Sequence, residues 1–128
     1  MVTEQSVPAL EEQRDILISS YIEQVQRDPH LCVLHKIGDN EFQGLAGYIL
    51  ASLGDYLEGS DAELEACLNF IGNTCFQLSI PLLETSYALY ILEDKVTNLL
   101  GKNAADVEVV ARARKFFDFL VLELLRRY

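Results

Sequence analysis

Residues that interrupt helices and patterns that build strands are both scarce in this sequence. Its 128 residues include three prolines, Pro8, Pro29 and Pro81. A proline inside a helix removes a hydrogen bond and clashes with the preceding turn, so these positions mark helix ends. No segment alternates apolar and polar residues between hairpin turns, and no stretch is low in complexity. The sequence therefore predicts an all-α fold.

Positive charge is also scarce, because ten basic residues face twenty acidic ones and the net charge is −10. This balance disfavours nucleic acid and anionic membranes as partners. The basic residues concentrate in residues 102–128, at Lys102, Arg112, Arg114, Lys115, Arg126 and Arg127. Such a segment suits packing against the acidic body or against an acidic partner. It is equally typical of a solvated helix with basic residues near its C-terminal end.

Long apolar runs and paired cysteines are missing too. No run approaches the roughly 18 apolar residues of a membrane span, and the N-terminus does not resemble a signal peptide. The three cysteines, Cys32, Cys67 and Cys75, form no C-x-x-C pair, which is typical of reduced thiols in a cytoplasmic protein. Half of the chain is hydrophobic and its mean hydropathy is +0.13, which indicates extra burial such as an oligomer interface.

The apolar pattern predicts one domain over residues 1–128, with a loose start over 1–7. Apolar residues recur at spacings of three and four in predicted helices over 8–27, 40–59, 60–78, 80–100 and 104–127. In the fourth helix the predicted buried face consists of Leu83, Tyr87, Tyr90, Ile91 and Leu99.

Turn and cap residues predict where these helices begin and end. Gly59 is expected to end the second helix in the left-handed conformation, and Ser60–Glu63 has the pattern of a capping box for the third. Between the third and fourth helices lies the hinge, residues 76–84, where Pro81 forces a break and Ser79 is expected to be the N-cap. Gly101 is expected to close the fourth helix.

The polar residues do not form a recognisable catalytic or metal centre. His30, Cys32 and His35 cluster in one predicted loop, but zinc sites need four ligands, usually in two pairs. Neither histidine lies inside a predicted helix, where a haem ligand would be expected. No histidine is tied to Ser79 or Cys75 as nucleophilic catalysis would require. We therefore expect no enzyme activity, no metal and no cofactor.

Two sets of residues are nonetheless candidates for binding. Gly72, Cys75, Tyr87 and Tyr90 lie near the hinge and predict a small-ligand cavity, although such tyrosines are more often core residues with an exposed hydroxyl.

The last predicted helix carries a second apolar face, formed by Phe116, Phe119, Leu122 and Leu125. This face is a candidate homodimer interface, because a helix that is apolar on several sides is buried on several sides. The alternatives are a central helix within the monomer and continuation into a further domain.

The segment Leu64–Leu100 is similar to a known family. Its centre, Phe76-Gln77-Leu78-Ser79-Ile80-Pro81-Leu82-Leu83-Glu84, resembles the N-terminal sensory domain of RsbRD-type RsbT co-antagonists, and the upstream layout around Asp28-Pro29 is similar as well. The resemblance implies a bundle of about five or six helices, usually dimeric, that acts on a signalling protein or output domain and is not an enzyme. No output domain follows Tyr128, so we expect either a stand-alone member or a piece of a longer protein. A small-ligand-binding bundle is the alternative function.

Overall fold

The fold is a bundle of α-helices. The computed structural model describes residues 10–31, 34, 37–104 and 107–127, without the side chains of 39 and 102–104. Its long helices are α1 (Arg14–Arg27), α2 (Asp39–Leu57), α3 (Leu64–Gln77), α4 (Leu82–Ala104) and α5 (Val107–Arg127). Residues 10–12 are also helical, and no strand occurs in the described ranges. The all-α prediction is confirmed, whereas the expected start of the first helix at Pro8 lies outside the described residues.

α5 contacts three of the other four long helices. It runs back along α4, with which it forms the most extensive contact, and it also contacts α2 and α3. α1 packs on α2 and α4. The fully buried α5 side chains are Val109, Ala113, Phe116, Phe117, Leu120 and Leu124. One face of α5 is therefore buried inside the monomer. A central helix within the monomer is one of the alternatives that the sequence left open.

The helix α2 follows its predicted pattern closely. Leu45, Ala46, Ile49 and Leu53 are buried as a stripe at spacings of three and four. Gly59 has φ 100°, and the amide of Ser60 donates to the carbonyl O of Asp55 at 2.9 Å. Together with the bond from Gly59 N to Tyr56 O at 3.0 Å, this is a Schellman motif. The predicted left-handed role of Gly59 is confirmed.

The capping box predicted at Ser60–Glu63 is wrong. α3 begins at Leu64, its N-cap is Glu63, and no side chain caps it. Ser60 Oγ only approaches the amide of Ala62, at 3.5 Å. The physical reason is that Ser60 already belongs to the motif that ends α2, so the chain needs a further turn before α3.

The hinge breaks the chain where Pro81 predicted, but Ser79 has a different role. Ser79 has φ 55°, the left-handed conformation, and Ile80 N donates to Cys75 O at 2.9 Å. This second Schellman motif ends α3, and the buried Ile80 and Cys75 supply its apolar contact. The prediction that Ser79 caps α4 is wrong, because α4 begins at Leu82 and its Thr85 amide bonds to the carbonyl of Pro81 at 3.0 Å.

Two predictions about α4 are also wrong. Gly101 does not close the helix, which continues to Ala104. A glycine within a helix costs roughly 1 kcal/mol, and here the fully buried neighbour Leu100 anchors the segment. The buried face is rotated from the predicted one, since its apolar members are Ala88, Leu89, Ile91, Leu92, Val96 and Leu100.

Candidate interaction surface

An open groove runs between α4 and α5 on the surface of the bundle. It has a volume of about 370 Å³. We call it the α4/α5 groove, and its lining residues are Ser86, Leu89, Tyr90, Glu93, Phe117, Asp118, Val121 and Leu122. The floor is apolar because Leu89 and Phe117 belong to the core, and the two rims are the outward-facing turns of the helices.

Large apolar side chains stand exposed along this groove. Tyr90 is 63% exposed and Leu122 60% exposed. Helical periodicity extends both rims toward the hinge end of the bundle, to Leu83 at 79% and Leu125 at 52%. Single exposed apolar residues are ordinary, whereas several that share one face mark a site of contact with another molecule.

The charges at the groove are mixed. Burial raises the pKa of Glu93 above its usual range, and the negative charges of Asp118 and Asp94 raise this pKa further while Arg114 lowers it. Further along α5, Arg126 pairs with Glu123 at 3.1 Å. The groove therefore has an acidic end at Glu93 and Asp118, and a basic residue two turns of α5 beyond it.

The four residues of the predicted dimer interface separate into two groups. Phe116 is fully buried and its ring packs edge-on against Phe117, with centroids 5.4 Å apart. Its inclusion in an exposed interface is wrong, because the contact of α5 with α2 encloses it. Phe119 is half-buried against the core, whereas Leu122 and Leu125 are exposed.

The four residues of the predicted ligand cavity do not line a common cavity. Cys75 and Tyr21 line a small apolar cavity of about 20 Å³, whereas Tyr90 lines the α4/α5 groove. Gly72 faces Leu124, whose Cδ2 lies 3.9 Å from where a Cβ would stand. Tyr87 is partly exposed on α4 and stacks on His30, with ring centroids 6.1 Å apart.

A polar cluster joins the end of α1 to α4. Asp28 Oδ1 accepts from His30 N at 2.9 Å and lies 3.0 Å from His30 Nδ1. The backbone N–H of His30 is the main cause that lowers the pKa of Asp28, and a hydrogen bond from Tyr87 contributes. The same bond raises the pKa of Tyr87. No group of three or more potential metal ligands occurs among the residues that the structure describes, and Cys32 and His35 of the predicted cluster lie outside them.

Two buried polar side chains hold helices together across long stretches of sequence. Tyr21 donates its hydroxyl to the carbonyl O of Ala88 at 3.0 Å, and burial raises the pKa of this phenol well above its usual range. Glu84 accepts from the amide of Leu34 at 3.2 Å and so ties Leu34 to the first turn of α4. Neither contact was predicted from the sequence, since only the tertiary packing brings these residues together.

Two of the basic residues concentrated in the last helix pack on the body of the same chain. Arg112 donates to the carbonyl O of Tyr56 at 3.0 Å and lies over the Tyr56 ring. Arg127 contacts Glu65 and Asn69 of α3. These contacts favour the first of the alternatives for the basic segment, in which it packs against the acidic body.

Comparisons of the chain with family models, with curated proteins and with solved structures found no match. None of the described helices is both long and apolar enough to cross a membrane.

Proposed function

We propose that this chain is a non-enzymatic sensory or regulatory module of the cytoplasm, which acts through protein–protein contacts and self-association at the α4/α5 groove. The observation that carries the proposal is the exposed apolar face formed by Leu83, Tyr90, Leu122 and Leu125. The resemblance of the hinge segment to the sensory domain of RsbRD-type co-antagonists points to the same class of function.

The exposed apolar residues lie where one partner can cover them together. Leu122 and Tyr90 rise from different helices on either side of one groove, so a single partner helix can cover both. Fully burying a leucine side chain stabilises by roughly 1.5–3 kcal/mol. Several such side chains in one face supply the apolar centre that stable interfaces have.

The small-ligand alternative has less support. Pockets for small molecules usually have volumes of about 300–1,000 Å³, whereas the cavity beside the hinge measures about 20 Å³. A volume of this size admits about one water molecule. The α4/α5 groove is larger but open, and its shape suits an elongated partner better than a compact metabolite.

The test is sedimentation equilibrium of the wild-type chain and of two matched variants. Leu122→Glu places a charge in the proposed interface, and we expect the dimer dissociation constant to rise at least tenfold because an unpaired buried charge is costly. Ile16→Glu is the control, because Ile16 is 67% exposed on α1, away from the groove, and should leave the constant unchanged.

Two results would contradict the proposal. A wild-type chain that stays monomeric at high concentration would remove the self-association. Dissociation by Ile16→Glu but not by Leu122→Glu would move the contact to the groove between α1 and α4 that Ile16 lines.

A further inference from the structure

The outer surface of α5 carries two opposite charges at equal distances on either side of one leucine. Asp118 precedes Leu122 by four residues and Arg126 follows it by four, and all three residues are exposed. Residues four apart form one ridge on a helix surface. Around Leu122 the ridge therefore has a carboxylate one turn before the leucine and a guanidinium one turn after it.

We propose that two copies of this chain associate through α5 in an antiparallel arrangement, in which Leu122 of each copy lies at the two-fold axis and Asp118 of each copy faces Arg126 of the other. This inference rests on the self-association proposed above and adds the orientation of the partner. A second copy is the occupant that the charges favour, because the ridge is complementary to itself only when it is reversed.

The packing geometry of helices suits this arrangement. Two helices whose ridges of residues four apart lie along each other cross at about −50°, the commonest class in globular proteins. With a two-fold axis through Leu122 perpendicular to α5, the reversed ridge brings unlike charges together at both ends. A parallel pair would instead place Asp118 against Asp118 and Arg126 against Arg126, and like charges in contact are unfavourable.

The contacts within the monomer leave both Asp118 and Arg126 able to bind a second copy. Asp118 makes no salt bridge within the described part of the chain. Arg126 uses one nitrogen, Nη1, on Glu123, and a guanidinium has five N–H donors in a planar fork. Arg126 can therefore serve Glu123 and a second copy's Asp118 at the same time.

The arrangement also covers exposed apolar residues beside the ridge. The two-fold axis lies in the plane of contact and is perpendicular to α5. Rotation about this axis therefore places α4 of both copies on the same side of the two α5 helices. Tyr90 of α4 and Leu125 of α5, which lie on that side, are then covered in both copies at once. Leu122, Tyr90 and Leu125 thus fall within one continuous contact.

Charge reversal in the full chain tests the orientation, with the dissociation constant measured by sedimentation. Asp118→Arg alone and Arg126→Asp alone each create two repulsive pairs, and we expect each to weaken the dimer by roughly ten- to a hundredfold at low salt. The double variant Asp118→Arg/Arg126→Asp exchanges the charges and should restore the wild-type constant. Asp61→Arg, an exposed residue outside the ridge, is the control for the change in net charge.

The outcomes separate this inference from the proposed function. If Leu122→Glu dissociates the dimer but the double variant stays as weak as the single ones, the antiparallel orientation is wrong while self-association at the groove stands. If Asp118→Asn tightens the dimer, a parallel pair is indicated. If the wild-type chain is monomeric, both proposals fall. Thermal unfolding of each variant monitors that the monomer remains folded.

Discussion

The two Schellman motifs allow one prediction to be made with an internal control. α2 and α3 end in the same hydrogen-bond pattern, but the left-handed residue is Gly59 in the first and Ser79 in the second. A residue with a Cβ costs roughly 1–2 kcal/mol in the left-handed region. Ser79 is exposed, so replacing it with glycine removes this cost without creating a cavity.

The expected gain is smaller than the full conformational cost. Glycine also gives the unfolded chain more freedom, which lowers stability by roughly 0.4–1 kcal/mol. We therefore expect Ser79→Gly to raise the free energy of unfolding by up to about 1 kcal/mol, which corresponds to a melting temperature higher by roughly 2–8 °C. The reverse change, Gly59→Ser, should lower stability, because a Cβ at Gly59 meets open space and only the backbone conformation opposes it.

Urea unfolding followed by circular dichroism measures both variants against the wild type. The slope of the free energy with urea should stay constant, since neither substitution alters the buried surface. Because the two sites belong to different helix ends, we expect the two effects to add in the double variant. A less stable Ser79→Gly chain, or a Gly59→Ser chain as stable as the wild type, would refute the reasoning.

Two further predictions concern buried polar groups. Tyr21→Phe removes the hydrogen bond to Ala88 with little change of shape, so the free energy of unfolding should fall by roughly 0.5–1.5 kcal/mol; an unchanged value in urea unfolding would contradict the contact. The raised pKa of Glu93 means that this residue contributes stability below the ordinary pKa of glutamate and loses it as the pH rises through its pKa in the folded state. Glu93→Gln should therefore gain stability relative to the wild type between pH 4 and pH 7, and a difference that is constant over this range, or that shrinks, would count against it.

Local signals in the sequence predicted much of the fold. Asp28-Pro29 placed the end of α1 correctly, since Asp28 has the extended ψ of 118° expected before proline. The regular spacing in α2 and the glycine at its end also needed no tertiary information. Pro81 located the corner between α3 and α4, although it did not reveal that Ser79 belongs to the end of the earlier helix.

The errors occurred where packing decides between local alternatives. α4 has apolar residues on adjacent faces, so its spacing fits two buried faces, and the position of α5 selects the one that contains Leu92 and Val96. The same packing carries α4 past Gly101. Of the predicted interface residues, Leu122 and Leu125 lie at the surface whereas Phe116 lies inside. Their common apolar character could not distinguish them before the neighbours of α5 were known.

The bond between Glu84 and the amide of Leu34 makes two distant segments part of one unit of local unfolding. Glu84 is the last residue of the hinge and lies in the first turn of α4. Any fluctuation that unwinds this turn also removes the acceptor of the Leu34 amide. Amide hydrogen exchange at Leu34 and at Thr85, whose amide bonds to Pro81 O in the first turn of α4, should then share one opening event. A molecule that binds at the hinge therefore also changes the exposure of the Leu34 amide, 50 residues earlier in the chain.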